Sequence, residues 1–201
     1  MRRGAGGATA KTAAESNAAA RRRPRRLVIL DRDGVVNEES AEYVKSPAEW
    51  RPLPGSLEAI ADLDRNGFDV VVVTNQSGVG RGLFSAADLD MIHARMRAAV
   101  EDAGGRLAGI YHCPHRPDEG CACRKPAPGL LKRVAADFRR SLEGVPLIGD
   151  KLSDVLAAEA VGARPICVRT GLHAQDCDKA SARGVEIFAS LREAADALLT
   201  E

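Results

Sequence analysis

Long apolar runs and aromatic side chains are both scarce in this sequence of 201 residues. No apolar run approaches the roughly 18 residues that a membrane-spanning helix needs, which excludes proteins built on such helices. Residues 1–26 lack the apolar segment of a secretory signal. They also lack aromatic residues between their basic side chains, which argues against a nucleic-acid-recognition element. We therefore expect a soluble, cytoplasmic protein with neither a membrane nor a nucleic-acid partner.

Acidic residues are nearly absent from residues 1–26, where eight Lys and Arg residues face Glu15 alone. This segment carries a net charge of +7 and leaves −6 for the other 175 residues, although the whole chain is close to neutral at +1. Its Ala, Gly and Arg residues cannot bury enough apolar surface to offset the entropy lost on ordering. We expect a disordered basic leader over residues 1–26 and one domain over residues 27–201. A zinc-containing nucleic-acid-binding protein that uses the arginine tail is the alternative from a different functional class.

The apolar run at residues 27–30 is followed at once by Asp31-Arg32-Asp33-Gly34. Four β-favouring apolar residues in succession predict a buried parallel strand. In open α/β sheets ligands bind outside the carboxyl ends of the strands, so the two carboxylates are candidate site residues. A strand that ends in an ordinary polar turn is the competing interpretation of so short a motif.

Strands and helices alternate along the rest of the chain, which predicts a doubly wound, mostly parallel α/β sheet. The other predicted strands are residues 68–74, 110–112, 145–150, 165–168 and 184–188. Ser56, Ser85 and Ser190 are predicted to cap helices. His93, in the helix that follows Ser85, is interpreted as a structural histidine.

Two further strands are also followed by polar residues. Thr74 precedes a polar loop with three glycines, whose backbone N–H groups are able to surround a phosphoryl group, although a plain connection explains the same composition. Asp150 ends the strand at residues 145–150. Asp31 and Asp150 suit Mg²⁺, which prefers oxygen ligands. Thr74 and Lys125 suit a phosphoryl oxygen.

The five cysteines are an odd number, and three of them lie within eleven residues. This distribution disfavours a disulfide framework and favours a metal site in a reducing compartment. Cys113, His115, Cys121 and Cys123 supply three thiolates and an imidazole, which fill a tetrahedral zinc site and leave no position for water, as in structural sites. Such a metal would hold the loop that positions Arg124-Lys125-Pro126.

Together these motifs resemble the haloacid dehalogenase (HAD) superfamily of phosphotransferases over residues 27–172. The matching motifs are Asp31-Arg32-Asp33-Gly34, Thr74-Asn75, Lys125, and Gly149-Asp150 through Asp154. Within the superfamily the sequence is most similar to the D-glycero-D-manno-heptose 1,7-bisphosphate 7-phosphatases, through residues 31–37, 74–82, the zinc loop and residues 123–126. The five-residue spacer of the zinc loop equally resembles that of the histidinol-phosphate phosphatases, which is the alternative.

The resemblance implies a capless, Mg²⁺-dependent phosphoric monoester hydrolase with a structural zinc. It would release the 7-phosphate of heptose 1,7-bisphosphate through an aspartyl-phosphate, as a step toward ADP-heptose and the lipopolysaccharide core. The implied roles are Asp31 as nucleophile, Asp33 as general acid/base, and Thr74 and Lys125 as stabilisers of phosphoryl charge. The implied Mg²⁺ ligands are Asp31, Asp33 through its backbone carbonyl, and Asp150, with Asp154 orienting Lys151 or a metal-bound water. The implied substrate-binding residues are Arg32, Asn75, Gln76, Ser77, Arg124 and Lys151. We expect a monomer whose partner is a small sugar phosphate.

Overall fold

Six parallel strands form one sheet in the computed structural model, which describes residues 25–201. The strands are β1 (Arg26–Leu30), β2 (Phe68–Asn75), β3 (Leu107–Cys113), β4 (Pro146–Gly149), β5 (Arg164–Val168) and β6 (Glu186–Phe188). Their order in the sheet is β3-β2-β1-β4-β5-β6, and every neighbouring pair is parallel. The predicted doubly wound α/β fold is therefore confirmed.

Helices cover both faces of this sheet. They are α1 (Ser56–Arg65), α2 (Ser77–Gly80), α3 (Ala86–Asp102), α4 (Gly129–Asp137), α5 (Leu152–Glu159), α6 (Ala174–Ser181) and α7 (Leu191–Thr200). Alternate residues of β1 point to opposite faces. Val28 and Leu30 pack with α1, α3 and α7, whereas Leu27 and Ile29 pack with α4 and α5. None of the helices within residues 25–201 combines the length and apolarity needed to cross a membrane.

The predicted helix caps are right in two cases and wrong in one. Ser85 and Ser190 accept hydrogen bonds from the backbone N–H groups three residues later, as N-caps do. Ser56 instead begins α1, behind the N-cap Gly55. Its hydroxyl donates to the carbonyl of Val36 at 2.7 Å. Ser56 therefore ties α1 to the segment that follows β1.

Helix α6 has no counterpart in the predictions from the sequence. Its residues Cys177 and Ala180 are buried and pack on Val155 and on Cys167 of β5. Cys167 and Cys177 form a disulfide, with Cα atoms 5.9 Å apart. The sequence disfavoured a disulfide framework and did not indicate this pair, which is the single disulfide within residues 25–201.

The fold includes two residues that we assigned to the basic leader. Arg26 is the first residue of β1. The side chain of Arg25 donates to Asp69 at 2.8 Å and also pairs with Asp64. The remainder of the predicted leader lies outside the described residues.

The strand order reverses between β1 and β4, which is the topological switch point of the sheet. Crevices at such points bind ligands in doubly wound folds. Asp31 follows β1 and Asp150 follows β4, so the two carboxylates meet at this crevice. Residues 31–55 contain no helix, and no separate cap domain covers the crevice within residues 25–201.

Candidate active site

Three buried carboxylates, those of Asp31, Asp150 and Asp154, lie at the switch point with oxygen atoms within 4.8 Å of one another. Neither carboxylate oxygen of Asp150 has a hydrogen-bond donor within residues 25–201. Burial and the neighbouring Asp31 carboxylate raise the pKa of Asp150 to about 8. The Lys151 ammonium, 3.6 Å from Oδ2 of Asp150, compensates this charge only in part. A divalent cation coordinated by oxygen atoms therefore fits the cluster.

Two glycines allow the backbone to approach Asp150 closely. A Cβ atom on Gly34 would lie 2.5 Å from Oδ2 of Asp150, and one on Gly171 would lie 1.9 Å from the same atom. Gly34 also has a φ of +80°, which favours glycine. The hydroxyl of Thr170 donates to the Gly34 carbonyl at 2.5 Å. The loop after β5 therefore packs directly on the acidic turn after β1.

The ammonium of Lys125 is buried against the carboxylate cluster. Its Nζ lies 3.0 Å from Oδ1 of Asp31 and 2.6 Å from Oδ1 of Asp154, and it donates to the Val73 carbonyl at 2.7 Å. Burial lowers the pKa of Lys125, but the Asp154 and Asp31 carboxylates outweigh burial and raise this pKa above its ordinary value. Lys125 therefore stays charged and holds two of the three carboxylates. We predicted that Asp154 orients Lys151 or a metal-bound water. In the structure the Asp154 carboxylate contacts the Lys125 ammonium. From Lys151 it accepts a hydrogen bond from the backbone N–H, at 3.2 Å, and none from the side chain.

Asn75 fixes the backbone of Lys125 from the end of β2. Its Nδ2 donates to the Lys125 carbonyl at 3.0 Å, and its Oδ1 accepts from the Lys125 N–H at 3.1 Å. Both ends of the amide are engaged, so Asn75, predicted to bind substrate, is placed to position Lys125.

Four donor groups hold the carboxylate of Asp33. Oδ1 accepts from Asn37 Nδ2 at 2.9 Å and from Arg32 Nε at 3.2 Å. Oδ2 accepts from Gln76 Nε2 at 2.7 Å and from Arg32 Nη2 at 3.0 Å. Burial raises the pKa of Asp33, but the Arg32 charge and these hydrogen bonds outweigh it and hold the pKa below its usual value. The contacts favour the ionised form of Asp33.

Arg32 and Gln76, both predicted to bind substrate, have their polar atoms engaged within the protein. Only 1% of Arg32 is exposed. Gln76 donates to the Thr74 hydroxyl at 2.8 Å and accepts from Arg32 Nη2 at 2.9 Å. Both side chains contact Asp33, and Gln76 also contacts Thr74.

The glycines of the loop after β2 serve close packing. A Cβ atom on Gly78 would lie 2.1 Å from the Phe84 ring, and one on Gly80 would lie 2.7 Å from the Pro114 carbonyl. The Gly80 N–H donates to that carbonyl at 2.9 Å. The loop therefore packs on the Cys/His segment, and the interpretation as a plain connection explains these two glycines.

A cavity of about 530 Å³ opens over the cluster. All the predicted catalytic and substrate-binding residues line it: Asp31, Arg32, Asp33, Thr74, Asn75, Gln76, Ser77, Arg124, Lys125 and Lys151. Side chains of both charges surround the cavity, which suits a small, polar, phosphorylated molecule.

Two loops and the start of α5 complete the cavity wall and were not predicted. The loops contribute Glu39, Ser40, Ala41, Tyr43, Val44, Leu172 and His173, and α5 contributes Ser153. Glu39 joins the two loops, because its carboxylate lies 2.6 Å from Lys151 Nζ and accepts from the Leu172 N–H at 2.9 Å. The sequence offered one signal for the second loop. Leu172 follows a predicted strand, and the loops that follow parallel strands lie at the same edge of the sheet as the site.

A second candidate metal centre lies beside this cavity. Cys113 ends β3, and its thiol, two further thiols and an imidazole nitrogen converge, with the closest pairs 3.2–3.5 Å apart. The four predicted zinc ligands form this group: Cys113, His115, Cys121 and Cys123. With Zn–S bonds of about 2.3 Å and a Zn–N bond of about 2.0–2.1 Å, a tetrahedral site requires S···S separations of about 3.8 Å and S···N separations of about 3.6 Å. The observed separations are within about 0.5 Å of these values, so a small outward movement of the four ligands would admit the ion.

Comparison with known proteins gives consistent matches over most of the chain. The HAD-hydrolase-like family model matches residues 122–194. A Pseudomonas putida protein named D-glycero-beta-D-manno-heptose-1,7-bisphosphate 7-phosphatase is 47% identical over 174 residues, which cover 87% of this chain and 99% of that relative. The protein of the same name from Bordetella bronchiseptica is 52% identical over 146 residues, covering 73% of this chain and 82% of the relative.

Solved structures agree with these sequence matches. The D,D-heptose 1,7-bisphosphate phosphatase from B. bronchiseptica, crystallised with magnesium and phosphate, superposes with a TM-score of 0.84 at 46% identity and covers 87% of this chain and 98% of its own. The corresponding enzyme from Burkholderia thailandensis gives a TM-score of 0.67 at 38% identity, over 88% and 100% of the two chains.

Proposed function

The chain belongs to the HAD superfamily and, within it, to the D-glycero-beta-D-manno-heptose-1,7-bisphosphate 7-phosphatases, and on that premise we propose that it hydrolyses the 7-phosphate of this heptose bisphosphate. The family resemblance drawn from the motifs is thereby confirmed. The observation that carries the proposal is the juxtaposition, below one polar cavity, of the Asp31 carboxylate, the Lys125 ammonium and the Asp150 oxygens that lack donors. The product would supply ADP-heptose for the lipopolysaccharide core.

We propose that the carboxylate cluster holds Mg²⁺. Asp31, Asp150 and the backbone carbonyl of Asp33 would be its protein ligands, and the Asp150 oxygens that lack donors fit this role. When bound, the ion reduces the repulsion between the carboxylates and a phosphate dianion. Asp154, next to Lys125, would keep the ammonium in place.

In the first half-reaction Asp31 attacks phosphorus. A bond forms between a carboxylate oxygen of Asp31 and the phosphorus atom while the bond from phosphorus to the sugar oxygen breaks. Asp33 gives its proton to the departing oxygen. The contacts from Arg32 favour ionised Asp33, so the charge of the bound phosphate has to raise the pKa of Asp33 before this step. Thr74 and Lys125 stabilise the charge on the other phosphoryl oxygens.

In the second half-reaction water displaces Asp31 from phosphorus. Asp33, again a carboxylate, accepts a proton from the attacking water. The Asp31–phosphorus bond breaks, which releases inorganic phosphate and restores the carboxylate beside Lys125. The donors around Asp33 suit this step directly, because they stabilise the ionised form.

Three of the predicted substrate-binding residues would contact the substrate from the cavity wall, and Lys151 does so beside its partner Glu39. Lys151 and Arg124 would bind phosphate oxygens, Lys151 as a compact charge and Arg124 through a planar fork of donors. Ser77 would add a hydroxyl. Arg32, Asn75 and Gln76 would act indirectly, by positioning Asp33 and Lys125.

The substrate assay tests the proposal most directly. With Mg²⁺ present, we expect kcat/KM for the heptose bisphosphate to exceed that for histidinol phosphate by at least about 100-fold, because a site that pairs buried polar groups with one substrate discriminates strongly against others. Phosphate release measures both rates, and product analysis by NMR identifies which phosphate leaves. Equal rates, or a preference for histidinol phosphate, would contradict the proposed substrate.

For the Cys/His cluster we propose one structural zinc per chain. Stripping it with a strong chelator should loosen the segment that ends in Arg124 and Lys125, and we expect kcat/KM to fall about tenfold. Metal analysis and thermal unfolding measure the loss of zinc and its effect on stability. The chelator also removes Mg²⁺, so the control is to add back Mg²⁺ alone. Full recovery of kcat/KM in that control would exclude a role for zinc in activity.

We further propose that the protein acts as a cytoplasmic monomer on a small phosphorylated sugar, without a nucleic-acid or membrane partner. In support, one chain supplies every group that the proposed mechanism uses, including both candidate metal centres.

A further inference from the structure

The guanidinium of Arg32 supplies two of the four donor groups that hold the Asp33 carboxylate. Its Nε and Nη2 atoms donate to Asp33 at 3.0–3.2 Å, and Nη2 also donates to Gln76 at 2.9 Å. The guanidinium is planar and its five N–H groups have a fixed geometry. Any rotation that moves its third nitrogen, Nη1, therefore also moves the two nitrogens that hold Asp33.

Nη1 of Arg32 lies 3.4 Å from Nε2 of His93, a residue of α3 that is only 7% exposed. Arginine can only donate, so Nε2 of His93 has to be the unprotonated ring nitrogen. Burial and the charge of Arg32 lower the pKa of His93 to about 3. The imidazole is accordingly neutral near pH 7, and Nε2 is available as an acceptor on the side of Arg32 opposite Asp33.

This arrangement bears on proton transfer more than on phosphate binding. A general acid has to lie within hydrogen-bond reach of the atom it protonates. Rotation of Arg32 would shift the Asp33 carboxylate, whereas Asp31, Lys125 and Asp154 are held together by separate contacts. The nucleophile Asp31 is held by the Lys125 ammonium and by the backbone N–H of Arg32, which donates to its Oδ1 at 2.7 Å. His93 contacts only the guanidinium of Arg32, the group that helps to place the acid/base.

We propose that His93 is a positioning residue for proton transfer by Asp33 and that it acts through Arg32. The proposal rests on the proposed function, because it takes Asp33 as the acid/base. It goes beyond the structural role that the sequence indicated for His93, since it connects α3 to one step of the reaction.

Substitution by Leu and by Gln separates this role from simple packing. In His93→Leu the acceptor is lost, and we expect kcat/KM for the heptose bisphosphate to fall by about tenfold to thirtyfold, part of the 10²–10⁴-fold that acid/base catalysis supplies. His93→Gln offers a carbonyl oxygen to Nη1 and should recover kcat/KM to within about threefold of wild type. For p-nitrophenyl phosphate, whose leaving group departs without a proton, the loss in His93→Leu should be at least about fivefold smaller.

His112→Gln is the matched control. His112 lies next to His93, with ring centroids 5.5 Å apart, and makes no hydrogen bond to Arg32 in the part of the chain that the structure describes. Thermal unfolding checks each variant. Should His93→Leu not fold, His93→Asn gives the same comparison, because its shorter amide does not reach Nη1.

Equal losses on the two substrates, or wild-type kinetics in a folded His93→Leu protein, would overturn the proposal. Histidinol phosphate is assayed in parallel. If the wild-type enzyme does not hydrolyse the heptose bisphosphate, the loss of kcat/KM in His93→Leu is measured on histidinol phosphate and compared with the loss on p-nitrophenyl phosphate. An error in the proposed substrate is thereby distinguished from an error in the proposed role of His93.

Discussion

Replacing Asp31 with asparagine is expected to lower kcat by at least about 10⁴-fold, equivalent to about 5.5 kcal/mol of activation free energy. The amide is a poor nucleophile and cannot form the aspartyl-phosphate. The fold should persist, because the change is nearly isosteric and Lys125 keeps its contact with Asp154 at 2.6 Å. Without metal, we expect the variant to be at least as stable as the wild type, since one of three crowded carboxylates loses its charge.

Single-turnover assays with excess enzyme measure this effect, and mass spectrometry after acid quenching detects a phosphoenzyme in the wild type alone. Asp102→Asn, at an exposed carboxylate that ends α3, is the matched control and should retain wild-type kcat. An Asp31→Asn protein that keeps more than about a hundredth of the wild-type kcat would rule out Asp31 as the nucleophile.

Asp31 and Asp150 could be found from the sequence because each directly follows a buried strand. Parallel strands place their carboxyl ends at one edge of the sheet, so the two side chains converge whatever the details of the helices. Strand order itself has no such local signal. That β1 and β4 are neighbours follows from how the two faces of the sheet are covered, which depends on the whole chain.

The contacts of individual side chains were harder to predict from the sequence than the positions of the strand ends. Arg32 lies in a polar turn, where an arginine is ordinarily solvated, and only the packing of α3 over that turn buries it beside His93. Substrate binding was the natural expectation for such a residue, but the structure engages its donors with Asp33, Gln76 and His93.

Contacts between distant segments could not be predicted either. Glu39 meets Leu172 across 133 residues, and Cys167 meets Cys177 only because α6 folds back on β5. Over residues 175–181, the part of that helix whose burial is described, Cys177 and Ala180 are the buried positions, and two positions do not produce a periodic apolar pattern.

The substitution Lys125→Met is expected to have the largest effect on stability. It would leave the buried carboxylates of Asp31 and Asp154 without their shared cation, next to an Asp150 that lacks donors. Removing one partner of a buried ion pair costs about 3–5 kcal/mol of the free energy of unfolding. We also expect kcat to fall at least about 10³-fold, because the ammonium would stabilise phosphoryl charge. Lys132→Met, at an exposed lysine of α4, is the matched control.

The double variant Lys125→Met/Asp154→Asn distinguishes the charge of Lys125 from its volume. If uncompensated charge causes the destabilisation, removing the Asp154 charge should restore about 1–3 kcal/mol, within the range of coupling between contacting residues, without restoring turnover. Urea unfolding in EDTA measures the free energies. Mg²⁺ should stabilise Lys125→Met more than wild type, because the ion compensates the same carboxylates. If the double variant is instead less stable by the sum of the two single losses, the Lys125–Asp154 pair does not stabilise the site, and Lys125 acts there through its packing and its contacts with Asp31 and the Val73 carbonyl.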